Sequence, residues 1–369
     1  MSEKADQIHD VVVVGGGPAG SAAAIRARKL KLSTLLVDRE EFPRRRFCTG
    51  WVGPAGVALA ESLGVKSRSA GASVFHGLTL RAWNFQKSAH VDESDLKGWL
   101  VDRAQFDAAL LKAACKVGVG ARLGAGVTGL ELGEEHASLT LADGSLVRGR
   151  VVIIADGSES TTSQLAKLVP AGRQSELPGT RFLEYEAGKS AARLDVAIGA
   201  SRAGQIGVIA RVGTRVRVSI STREREPSPD AQFHEFIAAA VEAGVLRDAP
   251  DGQPQTCVMP SGAALDLHTH VGKRCLLVGD AGGFVSAFSN EGVYPAMRSG
   301  LLAAEAAARA FSAAVLQDEL ATFGATWRSE LAEYLRMPNT DLGLLMPLVF
   351  NNEQMSRRVA RAFVLGQPF

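Results

Sequence analysis

Asp10–Arg39 reads DVVVVGGGPAGSAAAIRARKLKLSTLLVDR, and the fold is decided there. Val11–Val14 is an apolar, β-branched run too short for a helix, which predicts a buried parallel strand. It runs straight into Gly15-Gly16-Gly17-Pro18-Ala19-Gly20, holding G-x-G-x-x-G as Gly15, Gly17 and Gly20. The alanine-rich segment Ser21–Leu30 predicts a helix, and Ser33–Val37 a second strand. In that setting Gly15 makes a tight turn, Gly17 lets a pyrophosphate approach the backbone, and Gly20 lets helix pack on strand. The helix N-terminus then offers unpaired N–H groups and the positive end of its dipole to that pyrophosphate. Asp38, at the tip of the second strand, is placed to accept hydrogen bonds from an adenosine ribose. A glycine triplet alone is weak; strand, glycines, helix, strand and terminal acid in order predict a dinucleotide site.

At 369 residues the chain is long enough for two domains, or for one large α/β body with an inserted sheet. A net charge of +2 gives no global field for nucleic acid, and no basic-aromatic stripe is present. No apolar run approaches the ~20 residues that a membrane-spanning helix needs. The start, MSEKADQIHD, lacks the apolar region of a signal peptide. Cys48, Cys115, Cys257 and Cys275 show no metal spacing, and so few in a long chain predict reduced thiols in a cytoplasmic protein.

Beyond Asp38 and Arg39, the Pro- and Gly-punctuated stretch from Glu41 to Pro54 predicts a loop. Arg44–Arg46 in it is either a solvated charge run or carries an arginine facing a phosphate. Val101–Val117 is an amphipathic helix, with Phe106, Ala109, Leu110 and Ala113 at helical spacing. Arg103 at its start is oddly placed for the helix dipole and points to a phosphate partner. Gly118–Gly124 imitates a second glycine fingerprint but follows a helix, so its context fails. Arg150–Ala155 is another buried strand, ending in Asp156-Gly157, and strand ends of this kind bind ligands in open α/β sheets. From Thr180 to Thr222 the pattern changes. Arg181–Ala187, Arg193–Ile198, Gln205–Ala210 and Arg215–Ser221 alternate at period two, which predicts a mostly antiparallel sheet with one wet face. Arg215, Arg217 and Ser219 fall on the face expected to meet solvent. Cys275–Val278 returns to the buried-strand pattern and meets Gly279-Asp280. Ser289-Asn290-Glu291-Gly292-Val293-Tyr294 then leads into a long helix with Pro295 in its first turn, leaving the Gly292 and Val293 N–H groups free. Two further helices, around Gln317–Arg336 and Asn352–Val364, finish the chain. Leu342–Phe350 is strongly apolar, a core or lid segment or a patch for peripheral membrane contact.

NAD and FAD share the half that Gly15–Asp38 would hold. A ligand that also reaches Asp156-Gly157 and Gly279-Asp280 must be extended, which suits FAD. Asp280 would then bond a ribityl hydroxyl, and Gly292 and Val293 would meet the pyrimidine edge, where negative charge appears on reduction.

GGGPAG with Asp38-Arg39, Arg103 opening VDRAQFD, Asp156-Gly157 and GDAGGFVSAFSNEGVYPAMRSG together resemble the glutathione-reductase-type FAD fold. More narrowly, they are similar to the class A flavin monooxygenases and geranylgeranyl reductases. The likeness covers the FAD-facing parts well and the middle sheet poorly. It implies an α/β protein with a Rossmann-like FAD-binding domain (1–70, 96–172 and 262–330). Into this is inserted a mostly antiparallel β-sheet substrate domain (71–95 and 173–261), and a helical segment (331–369) closes the chain. The loop Pro43 to Gly50 is similar to the reductase branch, where a Cys-Gly loop lies beside the isoalloxazine. By that resemblance FAD would touch Ala19, Asp38, Cys48, Thr49, Gly50, Arg103, Val127, Asp280, Gly292 and Val293, beside Gly15, Gly17, Pro18, Gly20, Arg39, Arg46, Asp156, Gly157 and Gly279. NAD(P)H would be the transient reductant. The Tyr-x-Trp-x-Phe-Pro-like segment of the lipid reductases has no counterpart in Gly204–Arg211, and the Trp-x-Trp-x-Ile-Pro motif of the halogenases is absent. The substrate is therefore not inherited from either branch.

These readings converge on an FAD-dependent oxidoreductase that hydroxylates or reduces an apolar or aromatic small molecule. A carrier- or protein-bound substrate, and an FAD-holding interaction protein without turnover, are the alternatives. Cys48 is either a small thiol in a tight loop or one that tunes the flavin; Trp51 either stacks near flavin and substrate or fills core. His268-x-His270 lacks a third ligand, so no metal is expected.

Overall fold

The computed structural model describes residues 7–170, 177–199, 205–224, 226–247, 252–340 and 342–367. The chain begins β1 (Ile8–Val14), α1 (Pro18–Lys29), β2 (Thr34–Val37), β3 (Trp51–Val52), α2 (Pro54–Ser62), β4 (Ser73–Phe75), β5 (Leu78–Ala82), β6 (Ser88–Val91) and β7 (Gly98–Leu100). Next come α3 (Arg103–Lys116), β8 (Gly120–Arg122), β9 (Val127–Leu132), β10 (Ala137–Leu141), β11 (Leu146–Ile154), α4 (Thr161–Leu165), β12 (Gly179–Ile198) and β13 (Ile206–Thr222). The rest is α5 (Pro229–Glu242), β14 (Gln255–Val258), α6 (Ala263–Asp266), β15 (Val271–Gly272), β16 (Cys275–Leu277), α7 (Val293–Ala310), α8 (Leu316–Ala321), α9 (Phe323–Leu335), α10 (Leu342–Val349) and α11 (Glu353–Leu365).

The first sheet has the order β15-β16-β11-β1-β2-β8, with β9 and β10 continuing from β11. Strands β16, β11, β1, β2 and β8 run parallel. Because successive side chains of a strand point to opposite faces, the four valines of β1 serve two layers. Val11 and Val13 pack with helices α1, α3 and α7, while Val12 and Val14 pack with Leu139 and Leu141 of β10. Both faces are covered, which is why the run is apolar throughout.

Helix α1 starts at Pro18, three residues before Ser21, since Pro suits the first turn and Gly17 acts as N-cap. It lies backbone to backbone on α7: a Cβ at Gly300 would stand 2.2 Å from the Ala19 carbonyl oxygen. Ala22, Ala23, Ala24 and Ala27 are fully buried there. Small residues along α1 thus bring α7 close against the glycine turn.

The second sheet runs β13-β12-β5-β6, with β14 also on β12. The four short strands expected between 181 and 221 are two long ones. Register shifts between Glu186 and Ser190 and between Ser190 and Arg193 carry the ladder across the gap. The expected wet face is also corrected. Arg215 is exposed, but Arg217 is 4% exposed, because that face is covered by the loop and helix ends of the first body. β3 and β4 flank β7 in a small third sheet. Leu342–Val349 is a helix, with Met346 and Val349 in the core beside Trp51 and Phe363. Among the described residues no helix is long and apolar enough to cross a membrane.

Candidate functional site

Four parallel strands end in register. Val14 stands opposite both Ile154 and Val37, and Ile154 stands opposite Leu277. The residues that follow, Asp38, Gly15, Ala155-Asp156 and Gly279-Asp280, therefore emerge along one edge of the sheet. From β2 to β16 is three strand spacings, roughly 14 Å at ~4.8 Å each. A ligand reaching from Asp38 to Asp280 has to be extended along that edge.

The edge opens into a cavity of about 390 Å³. Of the residues expected from sequence, Gly15, Gly17, Pro18, Ala19, Asp38, Arg39, Arg46, Cys48, Thr49 and Trp51 line it. So do Arg103, Val127, Asp156, Gly157, Asp280, Gly292 and Val293. Gly20, Gly50 and Gly279 stand behind the wall and shape it. A Cβ at Gly20 would lie 1.8 Å from the Gly15 carbonyl oxygen, one at Gly50 2.3 Å from that of Val101, and one at Gly279 2.7 Å from the Ala19 Cβ.

At the glycine turn the Asp38 carboxylate accepts the Gly16 N–H at 2.6 Å and the Glu40 N–H at 2.8 Å. It holds the turn with one lone pair on each oxygen and keeps another for a ligand hydroxyl. The N-terminus of α1 has no side-chain cap and no acid in its first turn. Beside it lies Arg44, whose Nη2 is 3.2 Å from where a Gly17 Cβ would stand. Arg44 is 8% exposed, and its Nε and Nη1 have no hydrogen-bond partner among the described residues. Burial pushes this guanidinium below its ordinary value, against the pull of Asp107 at 3.5 Å. Buried donors with no acceptor cost about 1–3 kcal/mol. A diphosphate at this helix end would supply the acceptors and the negative charge, so these residues fit the pyrophosphate of a dinucleotide. Arg46, farther out, pairs with Glu40 at 3.1 Å, and Arg39 is near Glu159 at 3.8 Å. Arg103 grips Asp107 through two bonds of 3.0 and 3.2 Å; burial is the largest single influence and works against its charge, but Asp107 and Cys48 together raise the pKa.

At the far end, burial raises the Asp280 carboxyl, moderated by Arg103 and Arg46. Asp156 is likewise raised by burial; it accepts the Thr162 N–H at 3.2 Å, and its Oδ1 is unpartnered among the described residues. Helix α7 opens at Gly292, which has no side-chain cap of its own. Cys48 Sγ accepts the Gly50 N–H at 3.3 Å and also bonds Arg103. Trp51 is buried in the core, stacked on Phe363 with ring centroids 5.3 Å apart, and it also lines the cavity. His270 is core, with Nε2 2.8 Å from the Gly282 carbonyl oxygen and rings of Phe284 and Trp327 against it.

Sequence reasoning missed the wall that the second sheet contributes. Thr180, Phe182, Val208, Ser219, Ser221 and Val258 line the cavity, with the Phe47 ring tilted against Phe182 at 5.9 Å. Of the stretch Gly204–Arg211, Gly204 lies outside the described residues. Glu291 is not singled out by sequence, and Arg44 only as one of the Arg44–Arg46 run, from which Arg46 is the residue named. An acid directly before the glycine of a helix start, and an arginine between prolines and aromatics, are the signals that could have flagged them.

A family profile described as FAD binding domain matches residues 9–309. A digeranylgeranylglycerophospholipid reductase of Methanocaldococcus jannaschii is 25% identical over 344 residues, covering 89% of this chain and 85% of that protein. A menaquinone reductase of Mycobacterium tuberculosis is 28% identical over 318 residues, covering 81% of this chain and 76% of that protein. A solved geranylgeranyl bacteriochlorophyll reductase-like structure from Thermoplasma acidophilum superposes with a TM-score of 0.76 at 20% identity, covering 97% of this chain and 96% of that one. A flavin-dependent brominase gives 0.74 at 20% identity, covering 98% and 94%. At such identities the structural likeness speaks for the fold.

Proposed function

The chain belongs to the FAD binding domain family, and on that premise we propose that this FAD-dependent oxidoreductase reduces a carbon–carbon double bond or quinone ring of an apolar, polyprenyl-type small molecule, with NAD(P)H as the transient hydride donor. The observation that carries the reading is one cavity running from four in-register strand ends to a wall where Phe47, Phe182, Val208 and Val258 give apolar surface between the hydroxyls of Thr180, Ser219 and Ser221. The relatives named as reductases support the reaction class.

FAD, when bound, supplies the hydride acceptor and donor. The chain's residues would do the rest. The N–H groups after Gly17 and the Arg44 guanidinium hold the pyrophosphate, and Asp38 accepts from the adenosine ribose. Asp280 accepts from the ribityl chain, and the Gly292 and Val293 N–H groups stabilise charge at the pyrimidine edge. The second sheet supplies the apolar wall and excludes water from the hydride's path. The division into a discontinuous FAD-binding body and an inserted substrate sheet is part of the same proposal.

The test is anaerobic. Purified protein is mixed with FAD, reduced with NADH or NADPH, then offered a geranylgeranyl lipid or a menaquinone. Reoxidation without oxygen, with two hydrogens added to the product, is the expected result. A protein that stays colourless with FAD overturns the cofactor assignment. Reoxidation by oxygen alone, with an oxygen atom in the product, makes the enzyme a hydroxylase instead.

A further inference from the structure

Glu291 lies at the start of α7 with 2% of its surface exposed. Its Oε1 accepts the Tyr294 N–H at 2.9 Å, and its Oε2 accepts the Tyr334 hydroxyl at 2.9 Å. The carboxyl thus caps the N-terminus of the very helix whose first N–H groups line the cavity beside it. Tyr334 comes from α9, and its ring stands edge-on to Tyr294 at 5.0 Å. Among the described residues, the other charged groups facing this corner are Arg103 from α3, paired with Asp107, Asp280 from the turn after β16, and the Arg298–Glu330 pair beside Tyr294.

A helix N-terminus carries about half a positive charge. It cannot balance both an ionised Glu291 and a second negative charge arriving in the cavity. If capping were the whole role, an uncharged acceptor would serve equally well. We propose that Glu291 is the proton-holding group of the site, taking one proton from solvent as negative charge arrives at the N-terminus of α7 and releasing it as that charge leaves. This rests on the FAD reading above.

The step balances. In the first half-reaction the nicotinamide gives up hydride, and one proton from solvent forms an O–H bond on Glu291 Oε2. In the second, hydride goes to one carbon of the substrate and a proton from solvent to its neighbour, while the Glu291 O–H bond breaks and its proton returns to solvent, so that one proton is consumed over the cycle. The Tyr334 hydroxyl is a rotor: it donates to the carboxylate and, turned, accepts from the carboxylic acid. Both carboxyl oxygens of Glu291 keep a partner in either state, Oε1 the Tyr294 N–H and Oε2 the Tyr334 hydroxyl. Burial pushes the Glu291 carboxyl up to about 7, so uptake and release both lie close to neutral pH.

The experiment compares the FAD-loaded wild type, E291Q and Y334F. The amide of E291Q keeps an oxygen to accept from the Tyr294 N–H and an NH2 to donate to the turned Tyr334 hydroxyl, but it cannot titrate. Proton uptake on electrochemical reduction is counted with an indicator dye, and infrared difference spectra follow the carboxylic C=O band. At about pH 8 the wild type takes up roughly one more proton per flavin than E291Q; at about pH 6, where Glu291 is already protonated, the two agree. The C=O band grows on reduction in wild type, shifts in Y334F and is absent in E291Q. Equal uptake at both pH values, or a band that survives E291Q, overturns the proposal while leaving the FAD reading intact. If E291Q fails to hold FAD, the wild-type band and its shift in Y334F decide alone. A wild type that binds no FAD overturns both readings.

Discussion

Arg217 Nη1 lies 2.6 Å from the carbonyl oxygen of Val101, so the second sheet is tied to the residue just before the cap of α3. The same guanidinium donates to the Thr49 carbonyl at 3.4 Å and to Glu184 at 2.5 Å. Two strand positions away, Arg215 donates to the Asp102 carboxylate at 2.8 Å. The two arginines hold the Cys48–Gly50 loop and the start of α3 at a fixed distance from the apolar wall.

Arg217→Met removes all three bonds and leaves buried carbonyls without a donor. We expect a loss of about 3 kcal/mol, and of about half that for Arg217→Lys, which keeps the charge but not the fork. Urea unfolding of the FAD-free protein measures both. A methionine variant as stable as wild type would show the tie to be idle.

The glycines of the first turn separate into two kinds. Gly15 has φ +106°, and a Cβ there would meet the Ala155 carbonyl oxygen at 2.2 Å; a Cβ at Gly20 would meet that of Gly15 at 1.8 Å. Backbone cannot yield, so Gly15→Ala and Gly20→Ala should cost about 3 kcal/mol or more in the FAD-free protein. Gly17 has an ordinary φ of −70°, and its nearest neighbour is the end of the Arg44 side chain at 3.2 Å. Gly17→Ala should change FAD-free stability by less than about 1 kcal/mol yet weaken FAD binding by about tenfold or more. Denaturation paired with a binding titration distinguishes them. Equal losses of stability in all three variants would refute the division.

Much of this site is written locally. The run from Val11 to Asp38 carries its own period, breakers and terminal acid, so the first strand, helix and strand are readable without partners. Cys275–Asp280 repeats the idiom, and the parallel register then brings both acids to one edge. Arg217 was not readable in the same way. Alternation in β13 says only that one face is polar; whether that face meets water depends on a loop more than 160 residues away. The gaps near 188–192 and 211–214 read as chain breaks because bulged residues leave the alternation without leaving the ladder. Arg44 and Arg46 share a loop without periodicity, and only the packing against Gly17 and Asp107 singles out Arg44 as the buried one.

Arg44 makes a prediction with opposite signs in the two states. In the FAD-free protein it is a buried cation with two unused donors, while Asp107 keeps Arg103 as its main partner. Arg44→Met should therefore leave the FAD-free protein as stable as wild type or stabilise it by about 1 kcal/mol. With FAD bound it should lose affinity by about 10- to 100-fold, the worth of charge-assisted bonds to a diphosphate. Thermal unfolding with and without FAD reads both signs. A variant that binds FAD as tightly as wild type would remove Arg44 from the phosphate site.

Glu291 predicts how stability depends on pH. Its carboxyl titrates at about 7 when folded against an ordinary 4.5, with burial as the largest cause. Between those values the folded chain binds more protons than the unfolded one, so stability falls as pH rises through the window. The full loss, about 3 kcal/mol, is reached above pH 7. Asp156 and Asp280 are raised by burial too and slope the same way, so Glu291→Gln should flatten the profile without abolishing its fall. Asp10 and Asp102 are held below their ordinary 3.8, so they act only at lower pH, where stability is lost as pH falls. Urea midpoints of the FAD-free wild type and E291Q at about pH 5 and about pH 8 isolate the contribution of this carboxyl. Parallel profiles for the two proteins would mean that Glu291 titrates alike folded and unfolded, and its burial would then carry no proton.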